Sequence, residues 1–82
     1  MNNSNPTQCE RVLAYMQHFG EISQLDALRD LGVMRLASRI SELRLKYGIN
    51  IKKEMRTVLN RFEEKVWFAV YSLGEENANI NV

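Results

Sequence analysis

Apolar positions recur at helical spacing over the first half of the chain and then, past residue 48, in the alternating mixture of an extended backbone. Thr7-Gln8-Cys9-Glu10 has the form of a capping box, in which a hydroxyl and a carboxylate satisfy the first free amides of a helix. It predicts a helix over 8–19, with Val12, Leu13, Tyr15, Met16 and Phe19 as the buried stripe and Gly20 as a left-handed stop. Ser23 followed by Asp26 is a weaker relative of that box and opens a second helix over 24–31, with Leu25, Leu28 and Leu31 as its apolar face. Gly32 ends it, and Val33 is expected to anchor the interhelical turn in the core. A third helix over 34–47 places Leu36, Ile40, Leu43 and Tyr47 on one side, with Ala37 beside them, and Gly48 terminates it. Beyond it, Ile49, Ile51, Met55, Val58 and Leu59 are interleaved with charges, and 66–71 is a dense run of β-formers. The polar stretch 60–65 is the expected hairpin connection, of undetermined turn type because it lacks a glycine.

The resulting order is an α+β architecture of three helices and a hairpin, that of a winged helix. It divides the chain into a flexible start at 1–6, one domain over 7–73 and a frayed polar tail over 74–82. With 82 residues the chain builds one core and no cleft between domains. No apolar run reaches a membrane-spanning length and the polar start lacks the layout of a secretory signal, so the expected setting is cytoplasmic, with no membrane partner. Cys9 has no second cysteine to pair with and reads as a buried thiol of the first helix.

Charge changes the picture through its distribution. The net charge is only +1, yet residues 34 to 61 hold Arg35, Arg39, Arg44, Lys46, Lys52, Lys53, Arg56 and Arg61 against Glu42 and Glu54, a local balance of +6 between two acidic flanks. Local potential governs attraction to phosphates, so this segment suggests a surface facing a polyanion. The third helix carries Arg35, Ser38, Arg39, Ser41, Glu42, Arg44 and Lys46 opposite its apolar stripe.

Residues 21–43, in which the turn Leu31-Gly32-Val33 leads into Arg35-Leu36-Ala37-Ser38-Arg39-Ile40-Ser41-Glu42-Leu43, resemble a family of small helix-turn-helix proteins common in bacteriophages and prophages. The resemblance extends through Tyr47-Gly48-Ile49-Asn50-Ile51 and Tyr71-Ser72-Leu73, covering about residues 8 to 73. It implies a winged helix-turn-helix that binds double-stranded DNA, acting as a transcriptional regulator or architectural factor. Arg35, Ser38 and Arg39 would lie in the major groove, and Arg44 and Lys46 at its margin. Glu42 would accept from cytosine or pair with Arg39 or Lys46. Lys52, Lys53, Arg56 and Arg61 would neutralise phosphates from the first wing strand.

The wing departs from that pattern. Similar proteins often carry glycine and basic residues at the hairpin tip, where this chain has Glu63 and Glu64, followed by Trp67 and Phe68. Of the two aromatics, alternation sends one to the core and leaves the other partly exposed. These four residues leave room for a protein partner. The rival reading is therefore a winged-helix interaction module that inhibits a host nucleic-acid-binding machine; a homodimer is also open. His18 has no ligand partner at metal spacing, no serine has a base beside it, and the glycines Gly20, Gly32, Gly48 and Gly74 are scattered singly, so neither metal, cofactor, small-molecule substrate nor enzymatic activity is expected.

Overall fold

The structure is a computed structural model that describes residues 7–74; the expected flexible start and residues 75–82 of the expected tail lie outside the described residues. Helix α1 spans Gln8–Phe19. Its capping box is formed in full, with Thr7 Oγ1 accepting from Glu10 N at 3.1 Å and Glu10 Oε1 from Thr7 N at 2.8 Å. Such a cap contributes about 1 kcal/mol. Gly20 closes the helix at φ 93°, donating to the Met16 carbonyl. Val12 and Met16 are buried, Leu13 and Tyr15 pack partly against the core, and Phe19, expected in the buried stripe, is exposed. It stacks on Tyr15 and His18 at centroid distances of 4.6 and 4.5 Å instead.

A two-residue strand β1, Ile22–Ser23, follows, which the sequence pattern did not predict. It pairs antiparallel with the last strand, Ile22 opposite Tyr71 and Ser23 opposite Val70. Helix α2, Gln24–Asp26, runs directly into a wider π-helical turn, Ala27–Leu31, which Gly32 ends at φ 71°. The Ser23–Asp26 capping box is formed, and Val33 is fully buried as expected. The apolar face is not the one expected, however. Ala27 is buried, whereas Leu25 and Leu28 are exposed and Leu31 is partly buried. A residue this small brings the helix backbone close to the core, which leaves the longer leucines flanking the contact outside.

Helix α3 is Leu36–Leu45, shorter than the 34–47 expected, and Leu36, Ile40 and Leu43 are buried. Tyr47, expected in the same stripe, lies past the last helical turn and is exposed. With Gly48 at φ 67°, the chain reverses so that Ile49 N donates to the Leu43 carbonyl at 3.0 Å. Strands β2, Ile51–Leu59, and β3, Lys65–Leu73, form the hairpin, and the sheet order is β1-β3-β2. Only the hairpin base joins the core, through Ile51 and Tyr71. Gly74, read from sequence as the start of the tail, is buried and donates to the Asn50 carbonyl at 2.9 Å, so it belongs to the folded part.

Candidate nucleic-acid interface

The start of α3 is set by a residue outside it. Arg35 occupies the N-cap position and provides no side-chain cap. Gln24 supplies one from α2: its Oε1 accepts from Leu36 N at 2.8 Å while its Nε2 donates to the Val33 carbonyl at 2.9 Å. One amide side chain thus fixes the angle between the two helices of the motif. Sequence reading missed Gln24, because nothing local marks a cap that reaches across twelve positions.

At about 100° per residue, the buried positions Leu36, Ile40 and Leu43 put Ser38, Ser41 and Leu45 on the outward pole of α3. Leu45 is 85% exposed. The arginines expected on that face are divided. Arg39 lies on the flank toward α1, where its Nη1 sits 3.0 Å from Glu42 Oε1 and its side chain is 31% exposed. Cys9, buried on α1, donates its thiol to the same Glu42 oxygen at 3.3 Å. Burial, and then the Glu42 hydrogen bond, push that thiol's pKa up, so it stays protonated as the donor. Arg44 lies on the opposite flank and donates to the Ile51 carbonyl at 2.9 Å, which ties α3 to the hairpin base. Arg35 is exposed just ahead of the helix, and Lys46 Nζ lies 5.8 Å from the Tyr47 ring centroid.

The cations of β2 are also divided. Alternation places Lys53 on the sheet face of Ile51, and Lys52 and Arg56 on the other. Arg56 forms a bidentate pair with Glu21 at 2.9 Å and a further bond to Glu54 at 2.9 Å. The register carries this bridge from β2 over the β3 position of Val70 to the start of β1, and Val70 beneath it is 4% exposed. The Arg56 hydrogen bond is also what lowers the pKa of Glu21. Arg56, assigned from sequence to a phosphate, therefore has its guanidinium occupied in holding the sheet. Arg35, Lys52, Lys53 and Arg61 form no ion pair with a described residue.

At the wing tip the missing glycine is replaced by two devices. Asn60 Oδ1 accepts from Phe62 N at 2.8 Å and Glu64 N at 3.0 Å, and Glu63 takes the left-handed conformation at φ 63°. Glu64 Oε1 accepts from Asn60 Nδ2 at 3.0 Å. Trp67 is 63% exposed and Phe68 half-buried, so neither enters the core cluster, contrary to the alternation argument. Trp67 stays exposed on one face of the sheet, and Phe68 on the other faces α2 and α3 only across an open groove. Phe68 instead lines an apolar groove of about 400 Å³ shared with Leu25, Leu36, Ala37, Val58 and Val66.

Among the described residues no group of three or more His, Cys, Asp or Glu could hold a metal ion, and no helix is long and apolar enough to cross a membrane. No curated protein and no solved structure gives a significant match to the chain. A family model described as a winged helix-turn-helix domain matches residues 7–76. Three helices, a short strand between the first two, and a hairpin closing on that strand agree with it, and the chain belongs to the winged helix-turn-helix domain family.

Proposed function

We propose that the protein binds double-stranded DNA without catalytic activity, with α3 lying in the major groove. The observation that carries this reading is the outward presentation of Arg35, Ser38 and Ser41 from a helix whose start and far end are both tethered, by Gln24 and by Arg44. Guanidinium and hydroxyl groups projecting from a helix held at a fixed angle are what base-edge recognition uses. Lys52, Lys53 and Arg61 add cations without a carboxylate partner among the described residues, and each phosphate they neutralise makes binding fall with salt by a logarithmic slope of about 0.9. Arg39, Glu42 and Lys46 flank the contact. Arg44 and Arg56 serve the scaffold. A regulatory or architectural role for a mobile element, in the cytoplasm, is the setting that the resemblance of residues 21–43 supports. Two copies on a two-fold site would multiply the few base contacts of one small module.

Selection of bound fragments from a random duplex pool tests this directly, and enrichment of one motif is the expected result. The R35Q/S38A double variant should then lose roughly ten- to hundredfold in affinity for that motif with an unchanged melting temperature. Retained affinity in that variant would remove α3 from the interface.

A second reading has its own observation. Met55, Val58, Leu59, Phe62, Val66 and Trp67 are all exposed on the hairpin, above a tip carrying Glu63 and Glu64. Apolar arms ending in carboxylates suit a protein surface better than a phosphate backbone. Inhibition of a host nucleic-acid-binding machine through this wing predicts no attachment to random duplex even at about 50 mM salt, where electrostatic attraction is strong.

A further inference from the structure

Where α1 meets α3, a guanidinium and a thiol converge on one carboxylate oxygen. Glu42 Oε1 lies 3.0 Å from Arg39 Nη1 in an ion pair and accepts from the Cys9 thiol at 3.3 Å. Arg39 adopts this pose at a cost, since its Nε is buried and has no hydrogen-bond partner among the described residues. A buried donor left unpaired is worse placed than one returned to water or given an acceptor. The guanidinium is thus folded back against α1 by Glu42 although its own hydrogen-bonding capacity favours swinging outward. The thiol restrains Glu42 as well, because a carboxylate that also accepts from Cys9 is less free to follow Arg39 as it leaves.

We propose that Glu42, steadied by Cys9, is a selectivity residue that withholds Arg39 from the DNA backbone. This rests on the DNA-binding reading above. Exchanging Glu42 for a lone phosphate oxygen trades one ion pair for another and brings a freed carboxylate toward a polyanion, so random sequence gains little from Arg39. A guanine edge offers two acceptors to one guanidinium, and a cytosine amino group gives the freed carboxylate a donor, so a matching base pair can repay the release. Specificity then comes partly from a penalty on the wrong site, which is a common way of separating two affinities.

The test is attachment to a short random-sequence duplex, followed by fluorescence anisotropy between about 50 and 200 mM salt. The E42Q variant should bind about two- to fivefold tighter, the size of an exposed ion pair. Its logarithmic salt slope should steepen by about 0.9, one further phosphate neutralised. E42A, which removes even a neutral acceptor, should do the same. Introduced into R39Q, E42Q should give no comparable gain, because the cation it would release is absent. An equal gain in both backgrounds would overturn the proposal, since it would report only the removal of a negative charge. So would unchanged affinity and slope, or loss of the cooperative melt in both Glu42 variants, which would make Glu42 a structural residue. Absence of any attachment by the wild type and by E42Q would sink the DNA-binding reading itself, a result distinct from wild-type binding that Glu42 fails to modulate.

Discussion

The two halves of the hairpin are made from the same strands and paired throughout, yet they differ in almost every other respect. At the base, Ile51 and Tyr71 close the core over Ile22, and Val70 lies under the Arg56 bridge to Glu21. In the outer half, Met55, Leu59 and Trp67 are exposed, and Val58 and Val66 face Leu25, Leu36 and Ala37 only across an open groove and remain exposed as well. Composition does not explain the difference, since the exposed outer half is the one that holds Thr57, Val58, Val66, Trp67 and Phe68. What separates them is whether a helix packs directly against the strands, as at the base, or stands off across a groove, which is a property of topology. The base secures the fold, and the outer arms are available for contact.

The largest effect that would break this comparison is in the core. Ile40→Ala removes a side chain that is 1% exposed at the centre of α3. It should cost about 2–5 kcal/mol, a large part of the stability of a domain this small. Trp67→Ala deletes more atoms but should cost less than about 1 kcal/mol, because only cross-strand contact is lost. Urea midpoints of the two variants measure both, and a Trp67 effect as large as that of Ile40 would show that the outer arms are covered in solution.

Gln24→Ala comes next. It leaves Leu36 N and the Val33 carbonyl without their partner and should destabilise by about 1–2 kcal/mol, in the range of a lost helix cap. The loss should concentrate at the start of α3, where amide hydrogen exchange at Leu36 would accelerate more than at Val70 in the sheet. Equal acceleration at both would mean that the helix-turn-helix and the hairpin base open as one unit.

These residues also mark how much of the molecule can be read from its sequence. Thr7 with Glu10, Ser23 with Asp26, and the stops at Gly20, Gly32 and Gly48 were legible because each depends on hydrogen bonds made a few residues away. The stripe Leu36, Ile40 and Leu43 was legible by period. Strand β1 was not, because two residues become a strand only by pairing with Tyr71 and Val70, far along the chain. The same holds for the bridge from Arg56 to Glu21 and for the cap from Gln24 to Leu36. Within the candidate site, the Arg39–Glu42 pair follows from i,i+3 spacing and the division of Lys52 from Lys53 follows from alternation, so both were accessible. That Arg44 would donate to Ile51 was not, because it depends on where the hairpin returns.

Glu63 offers a smaller change in the opposite direction. A non-glycine residue at φ 63° pays for a left-handed conformation that glycine adopts freely. Glu63→Gly should therefore stabilise the protein by about 0.5–1 kcal/mol after the added freedom of the unfolded chain is counted. A raised melting temperature with unchanged hairpin pairing is the expected outcome. Destabilisation would mean that the Asn60 hydrogen bonds do not hold the tip in this turn, and the outer arms would then lose their one fixed point.

The smallest effect lies on the perimeter of the helical half. Asp30 accepts from Arg29 at 2.9 and 3.1 Å and from the Tyr15 hydroxyl at 2.6 Å. The Arg29 hydrogen bond first, and Tyr15 second, hold its carboxyl down at about 2, from an ordinary 3.8. A carboxylate whose pKa is lower in the folded than in the unfolded state stabilises fully above the unfolded value and loses that contribution as pH falls through the folded one. The stability difference between wild type and Asp30→Asn should accordingly be constant at neutral pH and vanish as the pH drops from 3.8 to about 2. Carboxyl NMR titration should show the Asp30 midpoint rising most of the way toward 3.8 in Arg29→Gln and only partway in Tyr15→Phe. A difference that persisted unchanged through that window would mean the three groups do not meet in solution. The helical half would then keep the Arg39–Glu42 pair but lose the Asp30 cluster from the perimeter that sets it apart from the bare arms of the wing.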